Sequence, residues 1–247
     1  MTAPTPRLER PYSCDIQQTE RLPFSIRLVQ STHDLERAVA IRQQAYARHM
    51  PELAKRLAEP EADDLRPDAH ILIAESRTDG LVVGSVRLLS NLNCPLQIEQ
   101  EAPLPERVRQ GHLLEARRLA VQSGPPGRQV TPALVKAAYE ISYRCGLDFV
   151  LATARRPVDK MYQAMQFEDL LAGQQITQAE SPDLPLSIYG MDIPQADTRW
   201  IRAQCPLYGF MAQTYHPDID IDFASAHQRF NHAQHLPGMG QAQRTPA

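Results

Sequence analysis

Apolar positions recur along the chain with two periods, and the switches between them set out the elements. Phe24, Ile26 and Leu28 alternate with polar residues, the two-residue period of a half-buried strand, predicted over 24–29. From Thr32 the period lengthens. Leu35, Val39, Arg42 and Tyr46 form one helical face, with Ser31 as N-cap, on a helix expected to run to about His49. Residues 51–67 are acidic and broken by prolines, which predicts a short helix and a loop. Strands at 70–75 and 81–89 follow, joined as a hairpin by the Thr78-Asp79-Gly80 turn. Pro95, Pro103 and Pro105 make 91–111 an irregular connection with one helical turn. A fourth strand is predicted over 113–121. The next helix is expected to start with Thr131 as N-cap and Pro132 at its first position, to bury Leu134, Ala138, Ile141 and Cys145, and to stop at Gly146. A strand at 149–152, a helix at 157–167 and strands at 174–178 and 185–191 complete the pattern.

The helix between the strands at 113–121 and 149–152 predicts a parallel crossover, and the hairpins predict antiparallel pairing elsewhere. The expected fold is therefore α/β (α+β), with a mixed, mostly antiparallel sheet flanked by helices. Residues 1–22 read as an arm, 23–193 as the domain, and 194–223 as an extension whose Trp200, Tyr208, Phe210 and Tyr215 either line a long acyl pocket or, as the favoured reading has it, pack as a cap on the sheet edge. From Ala224 to residue 247 the chain is polar with little periodicity and is expected to be mobile.

The bulk numbers narrow the function. The 247 residues are 43% hydrophobic, enough for one sizeable core, and the net charge of −3 gives no broad basic surface for nucleic acid. No apolar run suits a membrane span or a signal peptide. Cys14, Cys94, Cys145 and Cys205 form no CxxC pair and read as reduced thiols, which suggests a cytoplasmic protein. His227, His232 and His235 lack a ligand pattern, so no metal is expected.

Three charges sit at odds with their elements. Glu115 shares parity with Leu113, Leu119 and Val121 in a regular strand, and a buried carboxylate is costly unless paired. Arg42 lies on the inward stripe of the first helix and needs an acidic partner, with Asp63, Asp64 and Glu115 as candidates. Arg87 shares parity with Leu81, Val83 and Leu89, in a strand where Gly84 marks a bulge or a close approach. Three such charges on three elements suggest a shared polar site.

The set Arg42 with Tyr46, Asp63-Asp64, His70, Gly84 with Arg87, and Glu115 with Arg118 resembles the GNAT acyltransferase superfamily. The likeness is strongest to its branch of N-acyl amino acid synthases and acyl-homoserine lactone synthases, and covers roughly Phe24 to Met191. Tyr162 falls in a stretch similar to the superfamily's Y-x-x-x-G-F signature, with Gln166 in place of the glycine. The resemblance implies a sheet splayed between its fourth and fifth strands. It also implies transfer of an acyl group from a phosphopantetheine thioester to an amine. Glu115 would act as base, Tyr162 would protonate the thiolate and Arg118 would assist. Arg42, Tyr46, Asp64, His70 and Arg87 would bind the acceptor, and Leu119, Ala120, Val121, Gly127 and Arg128 the donor. No bound cofactor or metal is implied.

The donor loop departs from the acetyl-CoA pattern. Gln122-Ser123-Gly124-Pro125-Pro126-Gly127-Arg128 contains two prolines without N–H groups, which makes a poor pyrophosphate cradle. An acyl carrier protein is therefore the expected donor partner, with Arg128, Arg117 and Lys136 as candidates to meet it, and an amino acid or similar small amine is the expected acceptor. A short-acyl-CoA enzyme and a non-catalytic carrier-binding module are the competing readings. Glu115 and Arg118 point to opposite faces of a regular strand, so both reach one site only across a bulge.

Overall fold

The computed structural model describes residues 16–178 and 181–232. In chain order the elements are β1 (Gln18–Thr19), β2 (Phe24–Leu28), α1 (Thr32–Ala47), α2 (Pro51–Arg56), a 3-10 turn at Ala62–Leu65, β3 (His70–Ser76), β4 (Val82–Ser90), α3 (Gln97–Glu101), α4 (Glu106–Arg109) and β5 (Leu113–Val121). Then come α5 (Pro125–Arg144), β6 (Phe149–Ala154), α6 (Asp159–Ala164), β7 (Glu168–Asp169), β8 (Ile176–Gln178), β9 (Ser181–Asp192), α7 (Ala196–Arg202), a π-helical turn at Gly209–Gln213, β10 (Thr214–Tyr215) and α8 (Phe223–His232). The main sheet runs β2-β3-β4-β5-β6-β9-β7. Among the described strands of this sheet the parallel pair is β5–β6, the crossover pair, carried by α5. No described helix is long and apolar enough to cross a membrane.

The sheet is a partition with two different faces. On one, α5 and the C-terminal elements cover Leu72, Val86, Leu88, Leu114 and Val150. On the other, α1 covers Ile71 and Ile73, and α3 and α4 cover Leu89, Leu113 and Leu151. Gly84 lets α5 approach β4: a Cβ there would stand 2.5 Å from Val130 Cγ1. That is the close approach expected of a glycine in a strand interior.

Two features of β5 create the site. First, β5 pairs with β6 only from Leu113 to Glu115, opposite Phe149 to Leu151, whereas β6 continues on β9 to Ala154. The two strands therefore diverge beyond Glu115. Second, β5 is bulged. Ser85 and Arg87, two residues apart on β4, face Ala120 and Arg117, three apart on β5, and Arg118 takes φ of 56°. One extra residue in the left-handed region reverses the side-chain alternation downstream.

Several expectations are corrected. The α5 helix starts six residues before Thr131, at Pro125, with Pro132 in its interior. Proline is suited to the first helical position because that N–H needs no partner, and an interior proline removes only one helix bond. Gly124, just before it, takes φ of 94°, a conformation open to glycine at little cost. The tail expected from Ala224 begins instead as α8, anchored by buried Ala226 and Phe230; residues 233–247 lie outside the described residues. In the expected arm, Leu22 is buried and β1 pairs with β10, while residues 1–15 lie outside the described residues. The connection at 91–111 holds two short helices rather than one turn. Trp200 is buried, donates from Nε1 to Met165 O at 3.0 Å and packs edge-on against Tyr139, as its packing assignment requires. Cys94, Cys145 and Cys205 are free thiols; Cys14 lies outside the described residues.

Candidate active site

Where β5 and β6 part, a cavity of about 330 Å³ passes through the sheet, within the range of about 300–1,000 Å³ usual for small-molecule sites. Ala116 to Val121 form one wall, Thr153, Ala154 and Arg155 face them, and Tyr46, Arg48 and Leu53 close it from the α1–α2 side. Tyr162 and, from the β8–β9 hairpin, Gln178, Leu184 and Leu186 complete it. Through Arg48, His49 and Val121 the cavity meets a wider opening at the start of α5, lined by Gln122, Ser123, Gly124 and Arg128. Gln122 N–H bonds to Val83 O on β4, so alternation turns the N–H groups of Val121 and Leu119 the other way, into the gap. Val121 O already accepts from Arg48 Nη2 at 3.0 Å across it.

Tyr162 is buried against Phe167 and stacked on Tyr189. Burial, reinforced by nearby Tyr46, pushes its phenol above the ordinary range, so it stays protonated. A protonated phenol in the gap can donate to a leaving thiolate.

Below the cavity, on the α1 side, lies a buried ion cluster whose hub is Glu61. Arg118 Nε and Nη2 donate to its carboxylate at 2.8 and 2.5 Å, and Arg87 Nη1 at 3.0 Å. Arg42 Nη1 donates to Asp64 Oδ2 at 2.7 Å, and Arg87 Nη1 to Asp64 Oδ1 at 3.2 Å. Burial works against the charge on Glu61, but Arg118, Arg87 and Arg42 outweigh it and hold the carboxyl down at about 2. Asp64 is likewise held below its ordinary range against burial by Arg42 and Arg87. Glu61 was not among the residues singled out in the sequence. The signal was present as a Glu61-x-x-Asp64 capping box, in which Asp64 accepts from Glu61 N–H at 2.9 Å.

The bulge brings Glu115 and Arg118 to the same face, as their joint action requires, yet they do not touch one partner. Glu115 is 1% exposed and stands behind Arg117, whose Nε is 3.8 Å from its Oε1; it does not line the cavity. Burial raises its carboxyl to about 7, opposed by Arg117 and Arg87 and aided by Asp63 and Glu101. Arg117 bonds to Gln97 Oε1 and reaches the cavity wall beside Arg118.

Other assigned residues move. Arg42, Asp64 and Arg87, expected to bind the acceptor, are buried in the ion cluster and line no part of the cavity. His70, expected with them, is on the opposite face. Its ring nitrogens meet Asp68 O and Ala226 O at 3.0 Å, and Phe230 stacks on it from α8. Lys136, expected to meet a carrier, is fully buried and bonds to Phe210 O, Thr214 O and His216 Nδ1. Arg128 remains exposed at the mouth, and Gly127 lies in the first turn of α5. Tyr46, Leu119, Ala120 and Val121 line the cavity. Among the described residues no group of His, Cys, Asp and Glu is arranged to hold a metal.

The family described as N-acyl amino acid synthase FeeM matches residues 37–188, more than half of the chain and all of the cavity walls. The chain belongs to this family. Among solved structures, the synthase fold here is similar to FeeM, an N-acyl amino acid synthase from uncultured soil microbes, at TM-score 0.55 and 13% identity over 76% of this chain and 98% of that one. It is also similar to BjaI, a CoA-dependent acyl-homoserine lactone synthase, at TM-score 0.53 and 19% identity over 82% and 98%. No curated protein sequence matches the chain. Membership of a family of N-acyl amino acid synthases makes this protein an N-acyltransferase. In this family member the acid expected to act as base lies one side chain behind the cavity wall, and the acid that orders the arginines comes from the 3-10 turn.

Proposed function

We propose that the chain moves a long acyl group from the phosphopantetheine thioester of an acyl carrier protein to the amine of an amino acid. The reading is carried by the through-sheet cavity, which opens at the α5 N-terminus and ends among arginines on the α1 side. The thioester arm enters at the mouth, where Arg128 and the first free amides of α5 face a single phosphate. Pro125 and Pro126 supply no N–H for a pyrophosphate. The acyl chain lies along Ala116, Leu119 and Ala154.

The neutral amine attacks the thioester carbonyl. The N–H groups of Leu119 and Val121 stabilise the oxyanion. A carbon–nitrogen bond forms, the carbon–sulfur bond breaks, and Tyr162 gives its proton to the departing thiolate. The proton lost by the amine passes through water beside Arg117 to Glu115, whose raised pKa suits a base near neutrality. The Glu61 cluster holds Arg118 in its strained backbone conformation and so fixes the wall of the gap. Incubating the purified protein with acyl carrier protein or CoA thioesters of graded length, each with a panel of amino acids, should yield N-acyl amino acids by mass spectrometry. Turnover should be highest with long chains on the carrier protein. Exclusive use of acetyl-CoA would refute this donor assignment.

A further inference from the structure

Gln178 closes β8 and lines the cavity but not the α5 mouth; the residues shared by cavity and mouth are Arg48, His49 and Val121. It is 6% exposed, and its Nε2 is buried with no hydrogen-bond partner among the described residues. Leaving a buried donor unpaired is costly, and an apolar residue such as the neighbouring Leu184 or Leu186 would fill this position without that cost. The wall around it is also one-signed: Arg48, Arg117, Arg118 and Arg155 line the cavity, and no Asp or Glu does among the described residues. Such a wall attracts an anion and disfavours a protonated amine, which lowers the acceptor's ammonium pKa toward the neutral form that attacks.

We propose that Gln178 is a specificity residue for the acceptor, donating from Nε2 to a carboxylate oxygen of the amino acid while Arg48 and Arg155 of the same wall supply the positive field. The proposal rests on the reading of the cavity as an N-acyltransferase site and adds the group that tells an amino acid from a simple amine. The charge-assisted bond satisfies the buried donor only when the acceptor is bound. Each acceptor is compared with the matching amine that lacks the carboxylate, in the wild type and in Gln178→Leu and Gln178→Met.

Loss of a hydrogen bond to a charged group predicts that KM for the amino acid rises about tenfold to hundredfold, while KM for the acyl donor stays the same. The preference for the amino acid over the amine should fall by the same factor, and the thermal midpoint should hold or rise, because an unpaired donor has been removed. Unchanged amino-acid KM and preference in a folded variant overturn the proposal, as does a change confined to donor KM. If Gln178→Leu does not fold, Gln178→Met decides. Failure of both to fold shows the amide to be structural and also overturns it. A wild type that acylates no amine refutes the acyl-transfer reading itself, whereas an active wild type with insensitive variants refutes only the role of Gln178.

Discussion

Replacing Glu115 with Gln should change how stability depends on pH, in a direction fixed by its burial. The carboxyl is 1% exposed, its Oε1 has no hydrogen-bond partner among the described residues, and it is raised from 4.5 to about 7. A group whose folded-state pKa lies above its unfolded value binds more protons in the native state between the two, so stability falls as pH rises through that window. The gap to about 7 corresponds to about 3 kcal/mol, at about 1.4 kcal/mol per tenfold in proton affinity. The wild type should therefore lose up to about 3 kcal/mol on this account between pH 4.5 and pH 8. The amide introduced by Glu115→Gln has no proton to lose, and that component should vanish. The contribution of Glu61 has the opposite sign and lies lower: held at about 2, it supports the fold above 4.5 and is lost only as pH falls below that. Urea denaturation of both proteins at pH 5 and pH 8 isolates the Glu115 component as the difference between their pH dependences. Parallel changes in wild type and Glu115→Gln would show that the carboxyl is solvated or paired, and the argument from burial would fail.

The same carboxyl should leave a limb near pH 7 in the kcat/KM profile of acyl transfer, rising with pH, that is absent from Glu115→Gln. Glu61→Ala leaves Arg87 and Arg118 without their shared acceptor; breaking a buried ion pair costs about 3–5 kcal/mol, at the lower end here because Glu61 keeps 22% of its side chain exposed, and calorimetry should show the loss. Tyr162→Phe should lower kcat about a hundredfold, the scale of one proton-transfer group, while chemical denaturation shows little change in stability. Gly84→Ala forces a Cβ against Val130 and should cost about 1–3 kcal/mol by thermal melting; an unaltered midpoint would mean that α5 yields freely.

Much of the framework was legible because each period was clean. Leu35, Val39 and Arg42 do share a buried helical face, and Ser31 does cap it, accepting from Asp34 N–H. Arg42 did need an acid, and Asp64 provides it. The Glu115 anomaly was partly an artefact of assuming a regular strand. With the bulge, Leu119 and Val121 pack with the α5-side core, so Glu115 shares its face with Leu113 and Arg117 rather than with them. Nothing in the residue types around Arg118 announces a positive φ. The early start of α5 was hidden by prolines that also read as loop, and α8 by having few apolar anchors among polar residues. His70 lay on a correctly placed strand, but strand parity alone does not say which face borders the gap; the neighbouring elements decide that.

The bulge at Arg118 also makes the site depend on a count. If Arg118 were deleted, Arg117 and Ala120 would stand two apart and keep their places opposite Arg87 and Ser85, so both faces of β5 would survive while the bulge and the Arg118–Glu61 pair were lost. If instead all nine residues ran as a regular strand, either Leu119 and Val121 would leave the α5-side core or Glu115 and Arg117 would enter it. The sidedness of β5 therefore rests on the extra residue rather than on the identity of the residues around it.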